Sequence, residues 1–226
     1  MRRLTVLCFA TATLLASSAR AQSVFIERGD PSTMNAMVGG GVLKEAWGAS
    51  LVGAYSYRGV FDVGVDLTRY AYTAGANKKL AGYSAMPYVD VHFLRSDETM
   101  PISVSALAGI ERIAYTGNGP VANPEAWSVL VGATVYRRFE FGTHIVFSPQ
   151  AMLTYQRQLT RFYSSADDQT SGNGAAPGER RGYGDVTTQI LGGLVRANLL
   201  YDRITVVPYA GFQGALVAGL DVGTLF

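Results

Sequence analysis

Cysteine is almost absent from this chain: Cys8 is the only one. It lies in an apolar stretch near the N-terminus, so the rest of the sequence has no thiol for disulfides or metal thiolates. Histidine is scarce too, with His92 and His144 alone, which leaves little for acid–base or metal chemistry. Charged residues make up 16%, against about 25% in ordinary soluble domains. Beyond residue 21 no run of 18 apolar residues occurs, and a membrane helix needs about 20. Spanning helices are therefore not expected.

What is present begins with an export signal. Arg2 and Arg3 precede the apolar stretch Leu4 to Ala16, and Ala19-Arg20-Ala21 forms an A-x-A cleavage site. This predicts a signal peptide over 1–21 with Sec-dependent export. Cys8 sits inside the apolar stretch and far from the cleavage site, which argues against a lipoprotein. Cleavage removes three of the 19 Lys+Arg and none of the 17 Asp+Glu, leaving 16 against 17 and a net charge of −1. The sequence pI of 8.7 thus belongs partly to the leader, and nothing points to nucleic acid.

Residues 60–72 carry the main structural signal. Phe61, Val63, Val65 and Leu67 fall on one face of a strand, with Asp62, Gly64, Asp66 and Thr68 on the other, because strand side chains alternate with period two. The same alternation recurs to Phe226. Turn signals at Arg58-Gly59, 95–99, 140–143 and Asp202-Arg203 cut the chain into segments 35–57, 60–94, 100–139, 143–201 and 204–226. The middle three carry polar insertions at 73–79, 116–125 and 164–184. The two outer segments are too long for single spans, so each is read as two strands, turning near Lys44-Glu45-Ala46 and Gln213-Gly214.

The expected fold is all-β: an antiparallel up-and-down transmembrane barrel over 35–226, preceded by a short periplasmic segment over 22–34. Ten strands are expected, with eight as the alternative. Short turns mark the periplasmic end and long loops the outer end.

Alternation alone does not say which face is outside, because a soluble barrel would reverse it. Two features favour lipid on the apolar face. That face lacks charge over most of its length and carries Tyr83, Phe93, Trp127 and Tyr155 near its ends, as interface girdles do. The polar face is poor in Lys and Glu and rich in Gly, Ser, Thr and Gln, which suits a narrow lumen.

The signal peptide, the even-numbered meander and the terminal strand Gly219-Leu220-Asp221-Val222-Gly223-Thr224-Leu225-Phe226 resemble the small outer-membrane barrels of the OmpA/OmpX type. The resemblance implies that Phe226 belongs to an assembly signal read by the barrel-insertion machinery. Thr224 departs from the usual apolar residue two places earlier. The resemblance is architectural and brings no function-specific motif, and a peptidoglycan-binding domain after the barrel is not expected.

Chemistry is thin. An omptin-like protease would need His and Asp at the outer rim, whereas His92 and His144 both read as periplasmic-rim residues. A deacylase-like His-x-Ser-Asn is missing, since Ile145-Val146-Phe147 follows His144 and Phe93-Leu94-Arg95 follows His92. A metal site made by the two histidines is unfavoured, because their strands are not neighbours. No catalytic residue, cofactor or metal is expected, and the chain is read as non-enzymatic. The Asp62/Asp66 pair reads as a cation site or, preferably, as part of a lumen charge lattice formed by Asp62, Asp66, Asp90, Glu111 and Arg196. Inward Tyr70, Tyr88 and Tyr136 would fill much of the remaining space. Lys78-Lys79 and Arg180-Arg181 are loop charges able to meet lipopolysaccharide phosphates. The expected role is a monomeric structural or surface-interaction barrel with a largely closed polar lumen, in contact with outer-membrane lipid and lipopolysaccharide. A narrow solute pore is the alternative, and a hydrolase ranks last.

Overall fold

The computed structural model describes residues 30–43, 45–74, 80–95, 101–117, 122–163 and 182–226. The predicted leader over 1–21, most of 22–34, Lys78-Lys79, Arg180-Arg181 and most of the 164–184 insertion lie outside the described residues. Eleven strands follow in order: β1 Thr33–Leu43, β2 Ala46–Tyr57, β3 Phe61–Tyr72, β4 Leu80–Leu94, β5 Ser103–Gly117, β6 Ala122–Tyr136, β7 Phe139–Phe141, β8 Ile145–Tyr163, β9 Gly182–Tyr201, β10 Ile204–Gln213 and β11 Leu216–Leu225.

Ten long strands close on themselves. Each pairs antiparallel with its chain neighbours. β6 pairs with β8 past the three-residue β7, and β1 pairs with β11 from Asn35↔Leu225 to Leu43↔Val217. Closure gives every long strand a partner on both sides over the barrel's shared height, which is the condition for a sheet to sit in lipid. The expected count of ten therefore holds, and eight does not.

The turns follow from local backbone preference. Arg58 and Gly59 both take positive φ, 48° and 62°, and Val60 N–H donates to Tyr57 C=O at 2.8 Å. Two successive left-handed residues form the tight hairpin turn whose twist matches its strands. Gly142 at φ +66° turns β7 back onto Ile145–Phe147. That small hairpin corrects the reading of 140–143 as a simple turn after a strand reaching 139: β6 stops at Tyr136.

Two insertions are also shorter than the sequence suggested. β5 runs through Gly117, β6 begins at Ala122 and β9 begins at Gly182. Once clear of lipid, neither strand face has to be apolar, yet pairing still satisfies the backbone. A polar, Gly-rich stretch therefore extends the ladder. β8 and β9, at 19 and 20 residues, are about twice the 9–11 needed to cross a membrane. β8 stays paired with β6 up to Tyr163, while β9 reaches beyond its last pairing with β10 at Gly192, so the wall is tall on this side and low at β10 and β11.

The barrel is inside out relative to a soluble one. Leu51, Val65, Leu67, Val89, Val129, Val131, Leu153 and Leu220 are exposed on the outer face, while Asp62, Asp66, Asp90, Glu111, Gln156 and Arg196 are buried within. Aromatic residues mark both ends of the outer face: Trp47, Tyr83, Trp127 and Tyr155 at the loop end, and Tyr57, Phe93, Phe141 and Tyr201 at the turn end. From Trp47 to Tyr57 a strand tilted by about 40° rises about 25 Å, the height of the apolar band in membrane barrels. Outward arginines sit against the loop-end rings, with Arg69 5.9 Å from Tyr83 and Arg112 5.6 Å from Trp127. Each guanidinium lies over the face of its ring, a cation–π arrangement.

Candidate functional site

The lumen holds the chemistry-bearing residues. Its wall alternates as the sequence indicated, but it is not uniformly polar. Met37, Val52, Met86, Leu107, Leu130, Met152, Leu194 and Val207 also point inward and pack into one buried cluster. This corrects the expected polar lumen, for an apolar residue is tolerated on either face of such a strand. Tyr70, Met86, Glu111, Ile113 and Leu130 are 0% exposed, whereas the walls of a wet channel would present such groups to solvent. Bare backbone makes room for the larger fillers: a Cβ on Gly64 would lie 2.7 Å from the Tyr88 ring, and one on Gly219 would lie 2.3 Å from Tyr209.

At mid-lumen Glu111 is a hub. It accepts from Ser128 Oγ at 3.0 Å, from Gln156 Nε2 at 3.1 Å and from Tyr70 Oη at 3.5 Å. Gln156 also donates to Ser128 at 2.9 Å. These donors come from β3, β6 and β8, so the carboxylate ties together strands on different parts of the wall. Asp66 accepts from Thr68 Oγ1 at 2.7 Å on its own strand.

A second cluster forms toward the turn end. Asp62 of β3 lies opposite Asp90 of β4, and His92 follows one inward position later. A register irregularity after His92 leaves Phe93 and Leu94 both facing outward while His92 stays buried; bulges re-aim side chains in this way. His92 Nε2 is 3.4 Å from Asp62 Oδ2 and 3.8 Å from Asp90 Oδ2. Its Nδ1 is 2.8 Å from Tyr136 Oη, and Ser105 Oγ donates to Asp90 Oδ2 at 3.2 Å. Just past β4, Arg95 donates to the Gly59 carbonyl and stacks 5.8 Å from the Tyr136 ring. Burial lowers the Arg95 guanidinium from its ordinary value, while Tyr136 and Asp62 act in the opposite direction.

The five residues of the expected charge lattice are all buried in the lumen, but they divide. Asp62 and Asp90 join His92, Glu111 and Asp66 lie further along, and Arg196 of β9 stands between Gln150 and Tyr209 in the strand register and within electrostatic reach of Asp90. Asp62 and Asp66 are thus not one site. His92 lies buried toward the turn end and bonds to its neighbours Tyr136 and Asp62, whereas His144 is exposed and pairs with Asp202 at the β9–β10 turn. Phe226 projects outward, and its backbone exchanges hydrogen bonds with Met34 at 2.8 and 3.2 Å across the β1–β11 seam.

No protein-family model and no curated protein matches the chain. Solved structures do. The translocator domain of the autotransporter NalP from Neisseria meningitidis is 12% identical, covering 100% of this chain and 93% of its own, with a TM-score of 0.49. The N-terminal β-barrel domain of Pseudomonas aeruginosa OprF is 12% identical over 88% and 99%, with a TM-score of 0.33. Neisserial surface protein A is 12% identical over 84% and 94%, with a TM-score of 0.34. All three are barrels. The architecture here rests on the chain's own strand pairing.

Proposed function

We propose that this chain is an integral outer-membrane barrel with a structural or surface-interaction role and a lumen closed by its own side chains. The observation that carries the reading is the full burial of Tyr70, Met86, Glu111 and Leu130 inside an apolar-faced barrel. The export signal and the two aromatic girdles support placement in the outer membrane. Arg69 and Arg112, held at the loop-end girdle beside Tyr83 and Trp127, support contact with lipopolysaccharide phosphates, since guanidinium groups bind phosphate in a planar fork. The tall β8–β9 hairpin is the element best placed to meet a partner outside the cell.

Planar-bilayer recording tests this reading. The purified barrel is expected to leave the baseline closed, and Arg196→Ala, which removes a buried cation from the lumen, to raise leak conductance. A steady, large wild-type conductance that ignores Arg196→Ala would replace the closed barrel with a solute pore.

A further inference from the structure

We propose that Asp62, Asp90 and His92 form a binding site for one divalent transition-metal ion of the zinc type, inside the lumen next to the turn end. The proposal stands apart from whether the lumen conducts. One ligand atom from each residue lies within 4.8 Å of the others, and all three residues are buried. In a tetrahedral zinc site with nitrogen and oxygen ligands at about 2.0–2.2 Å, ligand atoms stand about 3.3–3.6 Å apart. The 3.4 and 3.8 Å separations from His92 Nε2 to the two carboxylates need little adjustment to meet that geometry.

Three further features point the same way. Tyr136 Oη engages His92 Nδ1 at 2.8 Å, and the two rings stand nearly perpendicular at 85°. Metal-binding imidazoles are held in this manner through the nitrogen that does not bind, and Nε2 is the one turned to the carboxylates. Asp90 Oδ1 is buried and makes no hydrogen bond within the described residues, so this carboxylate has coordinating capacity to spare. Asp62 and Asp90 also face each other across two paired strands, a juxtaposition of like charges that a dication relieves.

The donor set selects the ion. One imidazole and two carboxylates suit zinc or a similar first-row metal. Calcium takes six to eight oxygens, and three side chains supply too few. Arg95 acts electrostatically on Asp62 and Asp90, and Arg196 acts on Asp90. They are the resident cations with which the ion competes.

The test uses untagged full chain refolded in detergent, with folding checked by heat-modifiable gel migration. Equilibrium dialysis against zinc chloride is expected to find one bound equivalent. Asp90→Asn and His92→Gln should each weaken binding by about tenfold or more. His144→Gln, which alters an exposed turn residue, should keep it. That variant has His92 as its sole histidine, so a tetrahedral cobalt(II) absorption spectrum in it, without the charge-transfer band that a Cys8 thiolate would add, assigns the ion to His92 even if the lumen variants fail to fold. A folded His144→Gln protein without bound zinc or that cobalt spectrum overturns the site, as does unchanged zinc binding in a folded His92→Gln protein.

Discussion

Asp62 on β3 lies directly across from Asp90 on β4, both buried, with His92 Nε2 set against both carboxylates. Like charges opposed on paired strands destabilise a sheet. The pair persists because polar groups converge on it: the imidazole, Ser105 and the neighbouring guanidinium of Arg95. His92→Leu removes the imidazole and takes from Tyr136 one of its hydrogen-bond partners. With chelator present, so that no metal contributes, unfolding in detergent should show a loss of about 1–3 kcal/mol. Unchanged stability would mean that His92 adds nothing to holding the carboxylates.

Glycine positions offer a contrast between a filled and an open environment. A Cβ on Gly64 would lie 2.6 Å from Ala54 Cβ and 2.7 Å from the Tyr88 ring, while one on Gly53 would meet nothing within 4 Å. Overpacking of this kind costs about 1–3 kcal/mol. Gly64→Ala should therefore lower the unfolding midpoint clearly and Gly53→Ala hardly at all. Equal midpoints would show that Tyr88 does not fill the lumen against Gly64.

Much of this architecture was legible in the residues, for a physical reason. Lipid and lumen impose opposite demands on alternate side chains, so the faces of 60–72 and of the later strands could be read directly. Arg58-Gly59 and Asp202-Arg203 marked the reversals because few residues accept such turns. Face, however, is not depth. Alternation placed Asp62, Asp90 and His92 inward without showing that they share a level, which depends on the β3–β4 register. The signal was there to combine: Asp62 begins a strand just after a short turn, and Asp90 and His92 end the next strand just before another. The apolar lumen cluster escaped because Met86, Leu107 or Leu130 on an inward face does not break a pattern that lipid enforces only outside.

Phe226, one residue past β11, extends the β1–β11 seam. Its backbone pairs with Met34 while its ring faces outward. Deleting Phe226 should lower the amount of folded barrel recovered from the outer membrane and increase periplasmic degradation. The same folded yield with and without Phe226 would remove it from the assembly signal.

The central claim is that the apolar outer face meets lipid, and the two tryptophans, Trp47 and Trp127, report on it without any added label. Both lie on that face at the loop-end girdle, 40% and 47% exposed in the isolated barrel. The measurement is tryptophan fluorescence of the barrel folded into vesicles, quenched either by phospholipids with brominated acyl chains or by aqueous acrylamide. The account predicts strong quenching by brominated lipid and weak quenching by acrylamide, in the wild type and in Trp47→Phe and Trp127→Phe alike. Emission that acrylamide quenches and brominated lipid leaves untouched would contradict it, and would put the apolar face somewhere other than in a membrane.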